Sequence, residues 1–570
     1  MNIQKMKPRL LLLCKIFLIG LLIQFFLQTF VTFQLGRDGT FWQVVRMWKE
    51  FILLLFAVAI LYAVILNFPK YRKELAYLMK RDEEGTSGSP HSGERERSGR
   101  GVSRTSLRTY FKKYSLLHFI VLFLVTAFVF FVIAVLIQKV GLSTFILSIK
   151  YDLLPFFIFG LGACLAILFF SEEDKLLFQL YKKLIIFSIW GGLFRRVLLY
   201  FMPNALKFFG FDPFIFEGTI GSRPPAAYYT LIKPFLDGSH VRNGFLFERP
   251  ISFGFWLVAF FPVFVLGFLR KKPIKIQIGY SFLFGLLVLS TWSRAAIVVF
   301  GVEFVALALV LHWKHLKKYL RVVITLGVIG VGGVGYFGTK LFAREHSNTG
   351  HLVLIQEWRN LAKNHLVTGR GAGYSGPASH QLCYNEEEVI DIFTDIDAIS
   401  HLDPRCEQIR KINIENQIST YGFNPENQYL QIIMEYGLIG FLFWLATLGR
   451  ILYYTAKAIR IYRKTEKSNH QKFLYYSLLG FGMGLLGLCA EGMLLHSLVD
   501  RMVVYPFFLL YGIVVGMREN QKDIPFIEEK KEKKKKKKAD SKTKTSSKSP
   551  KKSTKKSVSK KGKKGKKKRR

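Results

Sequence analysis

Cysteine and acidic side chains are scarce in this chain. Only 5 of its 570 residues are Cys, and 39 Asp and Glu stand against 82 Lys and Arg, which gives a net charge of +43. No clustered carboxylate motif of the kind that soluble nucleotide-sugar enzymes use is present. The glycine-rich run Gly369–Gly373 lacks the Lys-Ser/Thr that follows in a phosphate-binding loop, which excludes a P-loop. Neither motif is therefore present to indicate a bound cofactor, and none is expected.

Apolar residues are abundant, by contrast, and they come in long runs. Half of the chain is hydrophobic, and several runs reach the roughly 20 residues that a helix needs to cross a bilayer. These runs are continuous rather than alternating, which excludes a transmembrane barrel. With the most basic connections on the cytoplasmic side, they predict an all-α polytopic protein of about 12 spans in the cytoplasmic membrane. Both termini are then cytoplasmic, and no cleavable signal peptide is expected.

Composition divides the chain into six parts, with a large outward-facing loop domain between spans nine and ten. They are an N-terminal two-span hairpin (1–68), a charged, flexible cytoplasmic linker (69–113), a core of spans three to nine (114–341), the external catalytic loop (342–430), spans ten to twelve (431–518) and a Lys-rich cytoplasmic tail (519–570).

The tail holds much of the positive charge. From Lys530 to Arg570 there are 24 Lys and Arg and only two acids. Such a run has no apolar pattern with which to build a core and is expected to be disordered. It is either a solvated tail or a segment that binds anionic lipid headgroups. Nothing in it predicts a specific nucleic-acid partner.

The external loop ends where polar side chains meet an apolar run. Glu426, Asn427 and Tyr429 directly precede the run that begins at Ile432. A carboxylate placed there can accept the proton of a hydroxyl group, and Asn427 is the second candidate catalytic residue. An acid at this position is equally favoured by the dipole of the helix that begins there. The spacing alone leaves both interpretations of Glu426 open.

Three arginines are predicted at the outer ends of different spans: Arg249, Arg294 and Arg501. Guanidinium groups bind phosphate oxygens bidentately and stay charged at any working pH. Arg also anchors helices at membrane surfaces, but three on one face beside a carboxylate favour an anion site. An isoprenoid-diphosphate-linked glycan suits this arrangement, with the diphosphate on the arginines and the sugar in an outward cavity.

The run Gly369–Gly373 predicts a tight turn, because glycine adopts backbone angles that other residues avoid. We expect this turn to present Tyr374. The candidate substrate-contacting residues of the loop are therefore Arg370, Tyr374 and Tyr429.

Cys383 and Cys406 are the two cysteines predicted outside the membrane. Because an oxidising exterior permits disulfides, we expect these two residues to be bonded to each other.

Three motifs lie in order along the second half of the chain. They are Ser293-Arg294-Ala295-Ala296, then Trp358 through His365 followed by Gly369–Gly373, and then Glu426-Asn427-Gln428-Tyr429-Leu430 running into Glu435-Tyr436-Gly437-Leu438-Ile439-Gly440. Together they resemble the bacterial O-antigen ligase and O-antigen polymerase family of integral-membrane glycosyltransferases. The resemblance covers roughly Lys150 to Gly516.

The resemblance implies transfer or polymerisation of glycan from an isoprenoid-diphosphate-linked donor, at the outer face of the cytoplasmic membrane, in O-antigen or surface polysaccharide biosynthesis. It implies a glycan or lipid acceptor and no metal ion or nucleotide sugar. Ligases of the family typically have His before the Asn, where this chain has Glu426, and this departure favours a polymerase-like or divergent member. The alternative function is a polysaccharide flippase or secondary transporter, although the two halves show no internal repeat.

Overall fold

The structure is a computed structural model that describes residues 3–35, 48–84, 115–170, 176–201, 245, 247, 250–318, 345–376, 379, 423, 425–462 and 469–520. Over these ranges the chain forms helices and no strand, which confirms the all-α class. Nine of the described helices are long and apolar enough to cross a membrane, or ten spans result if one bent pair counts as a span. The protein is therefore multi-pass, and the larger predicted number of spans stays a prediction.

Several predicted features fall outside these ranges. They are span nine (about 322–336), the disulfide between Cys383 and Cys406, the anion-binding Arg249 and the basic tail.

Thirteen α-helices make up most of the described chain, and two of them continue into short π-helical segments (Val132–Ile137 and Val265–Leu269). The α-helices are α1 (Ile3–Leu35), α2 (Trp48–Glu84), α3 (Ser115–Phe131), α4 (Leu142–Asp152), α5 (Leu154–Phe169), α6 (Leu176–Phe201), α7 (Pro250–Phe264), α8 (Ile274–Thr291), α9 (Arg294–Lys318), α10 (Glu345–Ala362), α11 (Gln428–Tyr462), α12 (Asn469–Glu491) and α13 (Arg501–Asn520).

Helix α2 continues well beyond its predicted end. A flexible linker was expected from residue 69, yet the helix runs to Glu84. The residues between are mostly Lys, Arg, Glu, Leu and Ala, which are good helix formers whether or not they are apolar. The structure therefore replaces a flexible linker with helix over 69–84, and residues 85–113 lie outside the described ranges.

The predicted fourth span is joined to a second helix at a sharp angle. Helices α4 and α5 meet at a 64° bend, and Pro155 lies in the first turn of α5. Asp152 ends α4, and its side chain is only 1% exposed. It therefore faces protein.

Helices α7 and α13 lie at the centre of the bundle. Each buries 83% of the residues in its apolar stretch, whereas none of the other seven single-helix spans buries more than 56%. Helix α13 approaches α5 closely because Gly512 and Gly516 have no side chain, so that the carbonyls of Phe159 and Ala163 come against the helix backbone. Small residues four apart are a common means of close helix packing in membranes.

Arg195 is the buried cation of α6. An arginine within a span is expected to face protein, water or an anion rather than lipid. The side chain is 6% exposed, and its Nη1 donates a hydrogen bond of 2.8 Å to the carbonyl of Phe245. Arg195 therefore faces protein.

The close approach of α13 to α5 gives a test of the fold. In Gly512→Ala the added Cβ overlaps the carbonyl of Phe159, and overpacking of this kind costs about 1–3 kcal/mol. We expect a lower thermal unfolding temperature for the purified protein in detergent. The control is Gly449→Ala in α11, where an added Cβ meets no atom within 4 Å. Equal unfolding temperatures for the two variants would contradict this packing.

Candidate functional site

Helix α11 is interrupted at Gly437, whose φ is 65° and ψ −174°. In a continuous helix the N–H groups of Leu438 and Ile439 would donate to the carbonyls four residues earlier. Here they donate to carbonyls of another segment, Leu438 to Leu366 at 2.8 Å and Ile439 to Val367 at 3.4 Å. The break therefore leaves neither N–H group unpaired.

The carbonyls of Met434 and Glu435, which these N–H groups would contact in a continuous helix, also have partners outside the helix. The N–H of Arg370 donates to Met434 at 2.7 Å, and the N–H of Gly371 donates to Glu435 at 3.1 Å. We call residues 366–376 the docking turn. The docking turn accepts two hydrogen bonds from the helix and donates two to it. All four backbone groups of the helix at the break therefore have partners.

Glycines shape both sides of this contact. Within the docking turn φ is 74° at Gly369, 115° at Gly371 and 77° at Gly373, which confirms that these glycines serve a turn. A Cβ at Gly369 or at Gly437 would overlap the backbone of the facing segment. Glycine is thus required on both sides for the turn and the helix to hydrogen-bond.

The docking turn does not present Tyr374, and that prediction was wrong. The side chain is 2% exposed, because its ring completes a small apolar cluster. The guanidinium of Arg370 lies over the ring, 4.5 Å from its centroid. The other buried members of the cluster are Leu361, Ala362, Phe423 and Met434.

A second set of contacts joins α11 to α4 through two buried carboxyl groups. The hydroxyl of Ser148 lies 3.0 Å from Asp152 Oδ2 and 2.6 Å from Glu435 Oε2. The hydroxyl of Tyr436 donates to Ser148 Oγ and Asp152 Oδ2, at 3.0 Å each. Gln431 Nε2 donates to Asp152 Oδ1 at 3.0 Å. We call these five side chains the polar core.

The polar core also holds the docking turn and α3. The N–H of Ser375 donates to Glu435 Oε1 at 3.2 Å, and the Tyr436 ring stacks on Phe130 with centroids 3.7 Å apart. All five polar-core side chains are at most 1% exposed. These residues are closed to solvent and support the fold around the site.

Glu426 lies just before α11 and pairs with a histidine. Its Oε2 is 2.9 Å from Nδ1 of His351 in α10. Both side chains are partly exposed, 41% for Glu426 and 33% for His351. Glu426 also has a positive φ of 49°. Sequence reasoning missed His351, because a single His in a polar helix, far away in the chain, carries no signal of this pairing.

Asn427, not Glu426, caps the helix. Its Oδ1 accepts the N–H groups of Tyr429 and Leu430 at 3.0 Å each, as an N-cap side chain does. Its Nδ2 donates to the carbonyl of Met493 at 2.6 Å. Capping of α11 therefore accounts for the side-chain oxygen of Asn427, whereas the carboxylate of Glu426 contacts His351.

The start of α11 is fixed to the last turn of α12 and to the connection between α12 and α13. The hydroxyl of Tyr429 donates to the carbonyl of Cys489 at 2.6 Å. The N–H of Gln428 donates to the carbonyl of Gly492 at 3.0 Å, and its Oε1 accepts the N–H of Leu498 at 3.1 Å. Tyr429 therefore lies in the first turn of a helix rather than in a loop, and its contact with substrate stays a prediction.

Both described arginines of the predicted anion site begin a helix. Arg294 is the first residue of α9 and Arg501 the first of α13. Arg501 Nη2 donates to the hydroxyl of Tyr151 at 2.7 Å, next to Asp152 of the polar core. Their binding of a diphosphate stays a prediction, as does that of Arg249.

The polar core and the pair of Glu426 and His351 differ in their access to solvent. The polar core is buried, whereas the pair of Glu426 and His351 is open to solvent and can exchange a proton with a bound hydroxyl group. In the described part of the chain, no three His, Cys, Asp or Glu side chains come together as a metal site would require.

Residues 279–445 match the family model described as O-Antigen ligase. This segment runs from α8 into α11 and includes Arg294, the docking turn and Glu426. The match confirms the resemblance to O-antigen ligases, over a shorter range than the motifs suggested. No curated protein matches the chain.

The polar core predicts a difference between two tyrosines of α11. Tyr436→Phe keeps the ring on Phe130 but removes the hydroxyl that contacts Ser148 and Asp152. Loss of one partner in a buried network costs about 1–3 kcal/mol, so the thermal unfolding temperature should fall. The control is Tyr453→Phe, since Tyr453 is 42% exposed. An unchanged unfolding temperature in Tyr436→Phe would show that the hydroxyl does not stabilise the fold.

Proposed function

We propose that this protein transfers glycan from an isoprenoid-diphosphate-linked donor to a hydroxyl group of an acceptor. The reaction takes place at the outer face of the cytoplasmic membrane, in the assembly of O-antigen or another surface polysaccharide, with both termini in the cytoplasm. The O-antigen ligase match over residues 279–445 carries the proposal. The same segment holds Arg294 and the pair of Glu426 and His351.

The proposed reaction is a direct displacement. The acceptor oxygen forms a bond to the anomeric carbon of the donor sugar, and the bond from that carbon to the diphosphate breaks. The isoprenoid diphosphate leaves with the electron pair and needs no strong acid, because it is already a stabilised anion. The hydroxyl proton passes to the pair of Glu426 and His351. Positioning and charge stabilisation then suffice, without a covalent enzyme intermediate or a metal ion.

Arg294 and Arg501 are suited to the diphosphate for two reasons. A guanidinium group pairs bidentately with phosphate oxygens. Each arginine also begins a helix, and the N-terminus of a helix attracts anions through its backbone N–H groups and its dipole. Arg370 and Arg249 are proposed as further contacts with the donor.

The acceptor is proposed to be a second glycan chain, as in a polymerase. In ligases of the family a His typically precedes the Asn, and this chain has Glu426 there. A lipid acceptor would make the protein a ligase. Products analysed by length distinguish the two, because polymerisation gives a ladder and ligation joins a finished chain to a lipid.

The anion site predicts a graded response at Arg294. Arg294→Ala removes a charge-assisted contact with the diphosphate and should weaken donor binding. Arg294→Lys should restore only part of it, because a point charge cannot pair bidentately. The measurement is a binding curve for the isoprenoid-diphosphate glycans extracted from the cells that make this protein. Arg359→Ala is the control, since Arg359 is exposed on α10.

The same extract tests the reaction itself. Purified protein should lengthen the glycans or join them to an acceptor, and each variant must first purify at normal yield. Unchanged donor affinity in Arg294→Ala would return this residue to interfacial anchoring. The wild-type protein could instead move unaltered lipid-linked glycan across the membrane of vesicles and form no product. That result would show a transporter and contradict the proposed enzyme.

A further inference from the structure

We infer that the base of the proposed transfer reaction is the imidazole of His351, and that Glu426 positions it. This inference rests on the proposed function and names which member of the pair takes the proton. Four observations carry it: the direction of the hydrogen bond, the exposure of the ring, the packing of α10, and the backbone angle of Glu426.

The hydrogen bond fixes the tautomer of the ring. A carboxylate can only accept a hydrogen bond, so at 2.9 Å from Glu426 Oε2 the Nδ1 atom of His351 carries the proton. In the neutral ring the lone pair then lies on Nε2. No hydrogen bond within the described ranges occupies Nε2. With a third of the side chain exposed, this nitrogen is accessible to a hydroxyl group.

Imidazole is the stronger base of the two types of group. An imidazole takes up a proton near neutral pH, whereas a carboxylate in contact with water is a weak base there. A carboxylate that holds the other ring nitrogen orients the ring and stabilises the imidazolium that forms. In this pair the ring therefore accepts the proton, and Glu426 orients the ring.

The packing of α10 holds His351 in place. His351, Leu354 and Trp358 follow one another at i, i+3 and i+7, which puts them on one face of the helix. Trp358 Nε1 donates to the carbonyl of Leu430 in α11 at 2.8 Å, and Leu354 and Trp358 pack against the apolar cluster around Tyr374. The face that carries His351 is therefore the face that contacts α11.

The backbone of Glu426 is strained in a way that capping does not explain. A positive φ is disfavoured for a residue with a side chain, and such residues cluster at functional sites. Asn427 already caps α11 with its own Oδ1. The strained angle at Glu426, 49°, accompanies a carboxylate that contacts the histidine of a neighbouring helix.

In the inferred step the proton of the acceptor hydroxyl passes to Nε2 of His351. The acceptor oxygen bonds to the anomeric carbon as the bond from that carbon to the diphosphate breaks. The imidazolium is stabilised by Glu426, and it returns its proton to water after the isoprenoid diphosphate leaves. No oxidant, reductant or further reactant is needed.

The experiment compares His351→Asn, Glu426→Gln and the double variant, with the extracted isoprenoid-diphosphate glycans as donor. His351→Asn keeps an amide N–H for Glu426 and removes Nε2, so the turnover rate should fall by about 10²–10⁴-fold while donor affinity changes little. Glu426→Gln should also lower turnover, because a neutral amide stabilises the imidazolium of His351 less than a carboxylate does. The double variant should be no slower than His351→Asn, because residues that act as one unit are not additive. The control is Gln356→Asn, exposed on the same helix.

Chemical modification of the folded wild-type protein tests the role of His351 without a variant, since a variant can fail to insert into the membrane. Diethyl pyrocarbonate should inactivate the enzyme in step with modification of His351, mapped by mass spectrometry, and hydroxylamine should restore activity. Wild-type turnover in His351→Asn with a loss in Glu426→Gln would make Glu426 the base and overturn the inference. Wild-type turnover in both would reduce the pair to a surface ion pair. A wild-type protein that forms no product at all contradicts the proposed function instead.

Discussion

The four backbone hydrogen bonds exchanged at Gly437 are the constraint on which this half of the structure depends. Within a membrane an unpaired N–H or carbonyl costs several kcal/mol, so a broken helix persists only where protein supplies the missing partners. The docking turn supplies two donors and two acceptors. Because the exchange is reciprocal, neither the turn nor the break satisfies its backbone without the other.

The polar core follows from that break. Ser148 and Asp152 are four residues apart and therefore lie on one face of α4, and this face meets Glu435 and Tyr436 of α11. The carboxylate of Glu435 also accepts the N–H of Ser375 in the docking turn. One side chain thus ties three segments together directly beside the interrupted backbone, where an unsupported helix would be weakest.

Local patterns in the sequence were enough to predict the all-α class and the glycine turn, but not every helix boundary or the contacts between helices. Long apolar runs indicate spans because the bilayer sets their length, and the glycines near Arg370 indicate positive φ because other residues avoid it. The break at Gly437 carries no such signal, since glycine is common in membrane helices. The pairing of His351 with Glu426 is likewise a matter of tertiary packing. Tyr374 was misjudged because position in a turn does not reveal whether a ring points outward or into a cluster.

The arrangement along α11 explains how an exposed pair can be held in a fixed position. Asn427, Gln431 and Glu435 follow one another at four-residue intervals, and each is hydrogen-bonded to a different neighbouring segment or helix. Glu426 directly precedes the first of them, which caps the helix. His351 is fixed to the same helix through Trp358 and Leu430. Side chains that react must be held within about 0.5 Å of their productive positions. Here the hydrogen bonds along α11 and the packing of α10 supply that rigidity beside the exposed pair.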